Sequence, residues 1–169
     1  MGLFSGDDGR QTSVAWAFVA AQFILIAALV VVPSSDHWSV PAGLDAAARV
    51  LQLVGVVFLV VGALNLGSSI TPLPLPVPHG ELETGGLYRL VRHPLYGGLM
   101  MLGVGSAVGS GNWLAVVVAV LLIAVLMAKA RWEESHLRAR YSAYGDYASR
   151  TPRFVPFWPL GLDRAQTGS

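Results

Sequence analysis

Long apolar runs without charge constrain this chain more than any other feature. A bilayer-crossing helix needs about 20 mostly apolar residues. Val14 to Val32 is apolar except for Gln22. Ala46 to Leu66 carries Arg49, Gln52 and Asn65 around an uncharged centre. Leu95 to Gly109 is shorter and rich in glycine, and extends at either end. Trp113 to Ala128 is almost purely aliphatic and continues as a helix-compatible sequence beyond the membrane. Only 12% of the 169 residues are charged, against about 25% in a soluble domain. That argues against a soluble globular enzyme, a disordered tail and a nucleic-acid binder. The net charge is +1, so no broad basic field attracts polyanions. Cysteine is absent, which removes disulfides and thiolate chemistry.

These runs predict an all-α integral membrane protein, a single membrane domain over 1–169. Its four transmembrane helices are expected at 14–32, 46–66, 94–110 and 113–130, with a cytoplasmic C-terminal segment over the last helical hairpin. The beginning is not read as a signal peptide, because Asp7 and Asp8 stand where a basic region is needed. Ser110-Gly111-Asn112 is so short a link that it forces an antiparallel hairpin. The alternating Pro72, Pro74, Pro76 and Pro78 exclude helix and central strand, so an extended surface segment is expected there. Arg10, Arg89, Arg92, Lys129, Arg131, Arg138, Arg140, Arg150 and Arg153 fall on one side of four spans, and only Arg49 falls on the other. The positive-inside rule makes the arginine-rich side cytoplasmic. Both termini are then cytoplasmic in a multi-pass membrane protein. Trp16, Trp38, Trp113 and Trp132 sit near span ends, as interfacial aromatics do.

Polar residues gather in two cytoplasmic motif segments, 79–93 and 131–157, which the hairpin brings together. Pro94 suits the first position of a helix. The free amides of that first turn, with Arg92 beside them, suit an anion. Glu133 and Glu134 point about 100° apart on a helix, so one of them is expected to serve the site and the other to be solvated. Both can also be read as members of weak helical ion pairs. His93 is the best candidate base if an acceptor must lose a proton. His37, His79 and His136 lack ligand spacing, so no metal is predicted. Gly103, Gly105 and Gly109 are expected to let helices pack closely. Gly97, Gly98, Gly103 and Gly105 are also expected to leave a gap toward lipid.

The ordered set Gly86-x-Tyr88-x-x-Val91-Arg92-His93-Pro94-x-Tyr96-x-Gly98, Glu133-Glu134-x-x-Leu137, Tyr144-x-x-Tyr147 and Pro152-Arg153-Phe154-x-Pro156 resembles the isoprenylcysteine carboxyl methyltransferase and phospholipid methyltransferase family. The resemblance implies an integral-membrane enzyme using S-adenosylmethionine without a Rossmann domain. It carries cofactor-binding roles onto Tyr88, Arg92, His93, Tyr96, Glu134, Leu137 and Tyr147. Of these, Arg92, His93 and Glu134 are expected to be catalytic. One departure is Tyr141-Ser142-Ala143, where the family often has a glycine before the first C-terminal tyrosine. The implied acceptor is lipophilic, with a carboxylate, thiol or amine head, and the implied partners are membrane lipids rather than nucleic acid. Two alternatives stand beside this reading. One is an NADPH-dependent membrane reductase resembling sterol reductases, and the other is a small non-catalytic membrane protein.

Overall fold

The computed structural model describes residues 5–35, 37–67 and 82–156. The proline series and His79 lie outside the described residues. Among these residues the chain forms α1 (Ser5–Val31), α2 (Ala42–Leu66), a single 3₁₀ turn (Gly86–Arg89), α3 (Pro94–Ser110), α4 (Trp113–Arg140) and α5 (Tyr144–Arg150). No strand is present among them. The α3 boundaries are those expected from sequence. Helix α1 starts nine residues before its expected span, and α2 starts four before, immediately after Pro41. Helix α4 runs on to Arg140, as its sequence past the apolar run suggests.

Helices α1, α2 and α4 are long and apolar enough to cross a membrane. Their apolar side chains point outward: Val30 is 83% exposed, Leu64 74% and Ile24 67%. In water such a surface would be an aggregation liability; in hydrocarbon it is the required one. Helix α3 has only 17 residues, about 25 Å at 1.5 Å per residue, against a hydrocarbon core of about 30 Å.

The α3–α4 corner is fixed by its own sequence. Gly111 takes a left-handed φ of 62° at the end of α3. A Cβ there would strike the carbonyl of Ser35, so a side chain is excluded twice over. Asn112 caps α4 by accepting from the Leu114 amide at 2.9 Å, which satisfies one orphan donor of the first turn. Its amide nitrogen also donates to the Pro33 carbonyl at 3.0 Å. The Ser35 amide donates to Ser110 at 2.8 Å. The C-terminal ends of α1 and α3 therefore meet the start of α4, and α1 and α3 run in the same direction. Trp38 and Trp113 face each other at this end, 4.8 Å between ring centroids.

Helix α3 is held between its neighbours by glycines. At Gly55 and Gly98 the α2 and α3 backbones touch: a Cβ on Gly98 would lie 2.7 Å from the Gly55 carbonyl oxygen. A Cβ on Gly105 would lie 2.7 Å from the Ala48 carbonyl oxygen, and one on Gly103 would meet Leu122 at 3.4 Å. One on Gly97 would meet the Phe154 carbonyl oxygen at 2.7 Å. Close packing is thus what these glycines serve. The expected gap toward lipid at Gly97, Gly98, Gly103 and Gly105 is not formed, because neighbouring backbones and side chains fill the space each glycine leaves. The Gln52 amide adds a bond to Ser106 at 3.1 Å between α2 and α3.

Candidate active site

The opposite end of the bundle carries the polar cluster. Its level in the bundle follows from helix geometry: Glu133 is 20 residues beyond Trp113 on the continuous α4. That places it about 30 Å away, one hydrocarbon thickness from the tryptophan end.

Four segments build the cluster. The 3₁₀ turn begins at Gly86, which has a left-handed φ of 50° and lies so close to Asn65 on α2 that a Cβ would collide with its side chain. The Asn65 side-chain oxygen accepts from the Leu87 amide at 2.8 Å. The chain then passes through Arg92 to His93, the residue that precedes Pro94 at the start of α3. The Arg92 and His93 amides donate to the carbonyls of Pro152 and Arg153, both at 2.9 Å. This ladder-like pairing clamps the segment after α5 across the start of α3. The contact of Gly97 with Phe154 extends the clamp by one helical turn.

Glu134 is the centre of this arrangement. Its side chain is 4% exposed. Arg153 grips it with two bonds, Nε to Oε1 at 2.9 Å and a terminal nitrogen to Oε2 at 2.8 Å. His93 Nε2 lies 3.1 Å from Oε1, and Arg92 Nε lies 3.3 Å from the same oxygen. A buried carboxylate is tolerable only with such compensation, and the bidentate guanidinium supplies its strongest part. Arg92 also donates to the Ala148 carbonyl at 2.7 Å, tying α5 to the cluster. The guanidinium expected beside an anion site thus already neutralises Glu134.

Glu133 departs from its expected solvated role. It accepts from the Tyr96 hydroxyl at 2.8 Å, and its Oε2 lies 3.7 Å from His93 Nδ1. The physical reason is that Tyr96 and His93 at the start of α3 stand opposite both directions in which the two adjacent glutamates point. The His93 ring reaches toward both carboxylates, one from each ring nitrogen.

Tyr96 lies parallel to His93, with an interplanar angle of 8° and centroids 5.3 Å apart. Lys129 Nζ sits 5.1 Å from the Tyr96 centroid. The Tyr147 hydroxyl donates to the Tyr88 carbonyl at 2.5 Å. Burial pushes the Tyr147 phenol well above its ordinary value, with Arg92 opposing, so it stays a donor. Burial, aided by Glu133, does the same to Tyr88.

The structure therefore brings Arg92, His93, Tyr96 and Glu134 into one cluster and joins Tyr88 to Tyr147 beside it. Leu137 is half-buried one turn past Glu134, and its carbonyl accepts from the Tyr141 amide at 2.8 Å. Tyr144 is 1% exposed, and its hydroxyl has no hydrogen-bond partner among the described residues. Sequence reasoning missed the role of Arg153. It stood inside the Pro152-Arg153-Phe154 motif, but nothing local pointed it at Glu134, 19 residues away. Lys129 and Gln22 were also passed over.

Residues 45–144 match the family described as phospholipid methyltransferase, a stretch holding most of α2, all of α3 and α4, and Glu133 and Glu134. The chain belongs to the phospholipid methyltransferase family. Protein-S-isoprenylcysteine O-methyltransferase B of Arabidopsis thaliana is 35% identical over 81 residues, which cover 47% of this chain and 41% of that relative. The match therefore spans less than half the length of the relative. No solved structure matches the chain significantly. Family membership and three membrane-length helices make this a multi-pass membrane protein. Gln22, Tyr147 and Arg153 lie outside the residues matched to the phospholipid methyltransferase family.

Proposed function

We propose that this chain is a four-span membrane enzyme that moves a methyl group from S-adenosylmethionine to a lipophilic acceptor at the cytoplasmic membrane face. The observation that carries the reading is the cluster on Glu134, which unites the Arg92-His93 segment with the Glu133-Glu134 segment. Family membership supports methyl transfer rather than hydride transfer to or from a nicotinamide.

Four spans are supported by the direction of α3, which runs with α1 and turns into α4 at the tryptophan end. Its shortness is offset by burial against α2 and α4. Among the described residues, the arginines apart from Arg49 lie toward the His93 end, which favours that end, and both termini, in the cytoplasm. Cysteines introduced at Ser34 and Ser149 are expected to be labelled from opposite sides of sealed vesicles. Labelling of both from one side would overturn the four-span topology.

The residues present fit S-adenosylmethionine. The start of α3 suits a carboxylate, close to the guanidiniums of Arg92 and Arg153 that pair with Glu134, and the buried Tyr144 hydroxyl is a donor with no acceptor among the described residues. When bound, S-adenosylmethionine supplies a methyl group already activated on a sulfonium. The chain's own task is orientation, which can contribute about 7–11 kcal/mol. Arg92, His93 and Glu134 hold the start of α3, the end of α4 and the Pro152–Phe154 segment in one geometry. Tyr88, Tyr96, Leu137 and Tyr147 complete the walls of the binding region. With His93 Nε2–H donating to Glu134, Nδ1 is the ring nitrogen able to take a proton from a neutral acceptor. An ionised carboxylate or thiolate needs no such help.

The acceptor's hydrocarbon tail, at about 0.8 kcal/mol per buried CH₂, rewards long apolar acceptors. Entry from lipid does not run through the α3 glycines, which packing has filled. The test is incubation with labelled S-adenosylmethionine and a membrane lipid extract, with identification of the labelled product. Turnover should rise with tail length in a matched acceptor series. Saturable binding of NADPH and none of S-adenosylmethionine would overturn the reading.

A further inference from the structure

Among the described residues, Lys129 is the most buried charge, with 2% of its surface exposed. A lysine near a membrane interface ordinarily snorkels, with its stem in lipid and its ammonium in water. This one does not. Its ammonium donates to the Gln22 side-chain oxygen on α1 at 2.8 Å and sits over the Tyr96 ring on α3. Ala15, Val19 and Gln22 are the buried residues of α1 among those described, and the polar one of the three is the one that meets Lys129. Polar groups kept inside a membrane bundle are costly and mark function more often than structure.

We propose that Gln22 and Lys129 are positioning residues that hold Tyr96 in place, making α1 part of the methyl-transfer site although it lies outside the residues matched to the family. The chain of contacts is continuous. Gln22 orients the ammonium. The ammonium attracts the face of the Tyr96 ring. The Tyr96 hydroxyl then reaches Glu133 at 2.8 Å, and its ring lies parallel to His93. Lys129 and Glu133 are also one helical turn apart on α4, so the ammonium and the carboxylate flank Tyr96 from the same helix. Without the ammonium, the Tyr96 ring keeps its hydroxyl bond but loses the contact that fixes its face, and His93 loses a fixed neighbour.

The catalytic consequence rests on the methyltransferase reading; the structural one does not, so the test reads both. Purified protein labelled with 3-fluorotyrosine gives a resonance for Tyr96, assigned through Tyr96→Phe. In Lys129→Met and Gln22→Leu that resonance should shift or broaden. Lys129→Arg should restore it, since a guanidinium can meet both Gln22 and the ring. Thermal unfolding should be unchanged or raised in the Gln22→Leu/Lys129→Met double variant, because both partners of the buried polar pair are then replaced by apolar chains. S-adenosylmethionine affinity or turnover should fall about tenfold or more, the scale expected when a group beside the chemistry is misplaced. A Tyr96 resonance unmoved in both variants would overturn the proposal. So would a parallel loss of unfolding temperature and activity that Lys129→Arg does not rescue. If the wild-type protein bound no S-adenosylmethionine, the methyltransferase reading would fall, while the resonance would still decide whether Lys129 positions Tyr96.

Discussion

Glu134→Gln is expected to remove S-adenosylmethionine binding and to lower the unfolding temperature markedly. The carboxylate meets two guanidiniums and an imidazole in a site with 4% side-chain exposure. Glutamine keeps the shape but loses the charge, and its NH₂ group turns a donor toward donors. Breaking a buried ion pair from one side costs about 3–5 kcal/mol. Arg153 is 18% exposed, so water relieves part of that penalty and the lower end of the range is expected. Arg153→Ala should imitate the variant in binding, because it frees the Pro152–Phe154 segment. Glu133→Gln should be milder, at about 1–3 kcal/mol, since it weakens one charge-assisted bond from Tyr96. Isothermal titration and thermal unfolding in the same detergent check all three. Equal effects of Glu133→Gln and Glu134→Gln would remove Glu134 from the centre of the site.

Gly98→Leu should disrupt the bundle and Gly97→Ala should disrupt the site, although neither glycine carries a functional group. At Gly98 the α2 backbone stands where a Cβ would go, 2.7 Å from the Gly55 carbonyl oxygen. Overpacking of this kind costs about 1–3 kcal/mol, occasionally more, and backbone atoms cannot step aside as a flexible side chain can. Gly97→Ala pushes on the Phe154 carbonyl, and through it on the segment that delivers Arg153 to Glu134. Its expected signature is a loss of S-adenosylmethionine affinity larger than its loss of stability. Gly43→Ala is the control: nothing lies within 4 Å of its Cβ, and alanine in a helix gains about 0.5–1 kcal/mol over glycine. A Gly97→Ala protein that binds S-adenosylmethionine like the wild type would show that the clamp is dispensable.

The helical class, the membrane setting, the α3–α4 hairpin and the family were legible in the sequence because their signals are local. Apolar run length reports on a span. Pro94 marks a helix start, and Gly111-Asn112 marks the turn between two helices. The choice of Arg92, His93 and Glu134 as a set came from the resemblance of the ordered motifs, and the structure brings the three side chains together. Their partners were not legible. Arg153 meets Glu134 across 19 residues, and Gln22 meets Lys129 across 107. A helical wheel gives the direction of a side chain but not what stands opposite it. That limit also explains Glu133, which looked solvated until Tyr96 was placed against it. It explains the α3 glycines as well: a missing side chain leaves space, and only the docking of α2, α4 and the Pro152–Phe154 segment decided that backbone, rather than lipid, fills it.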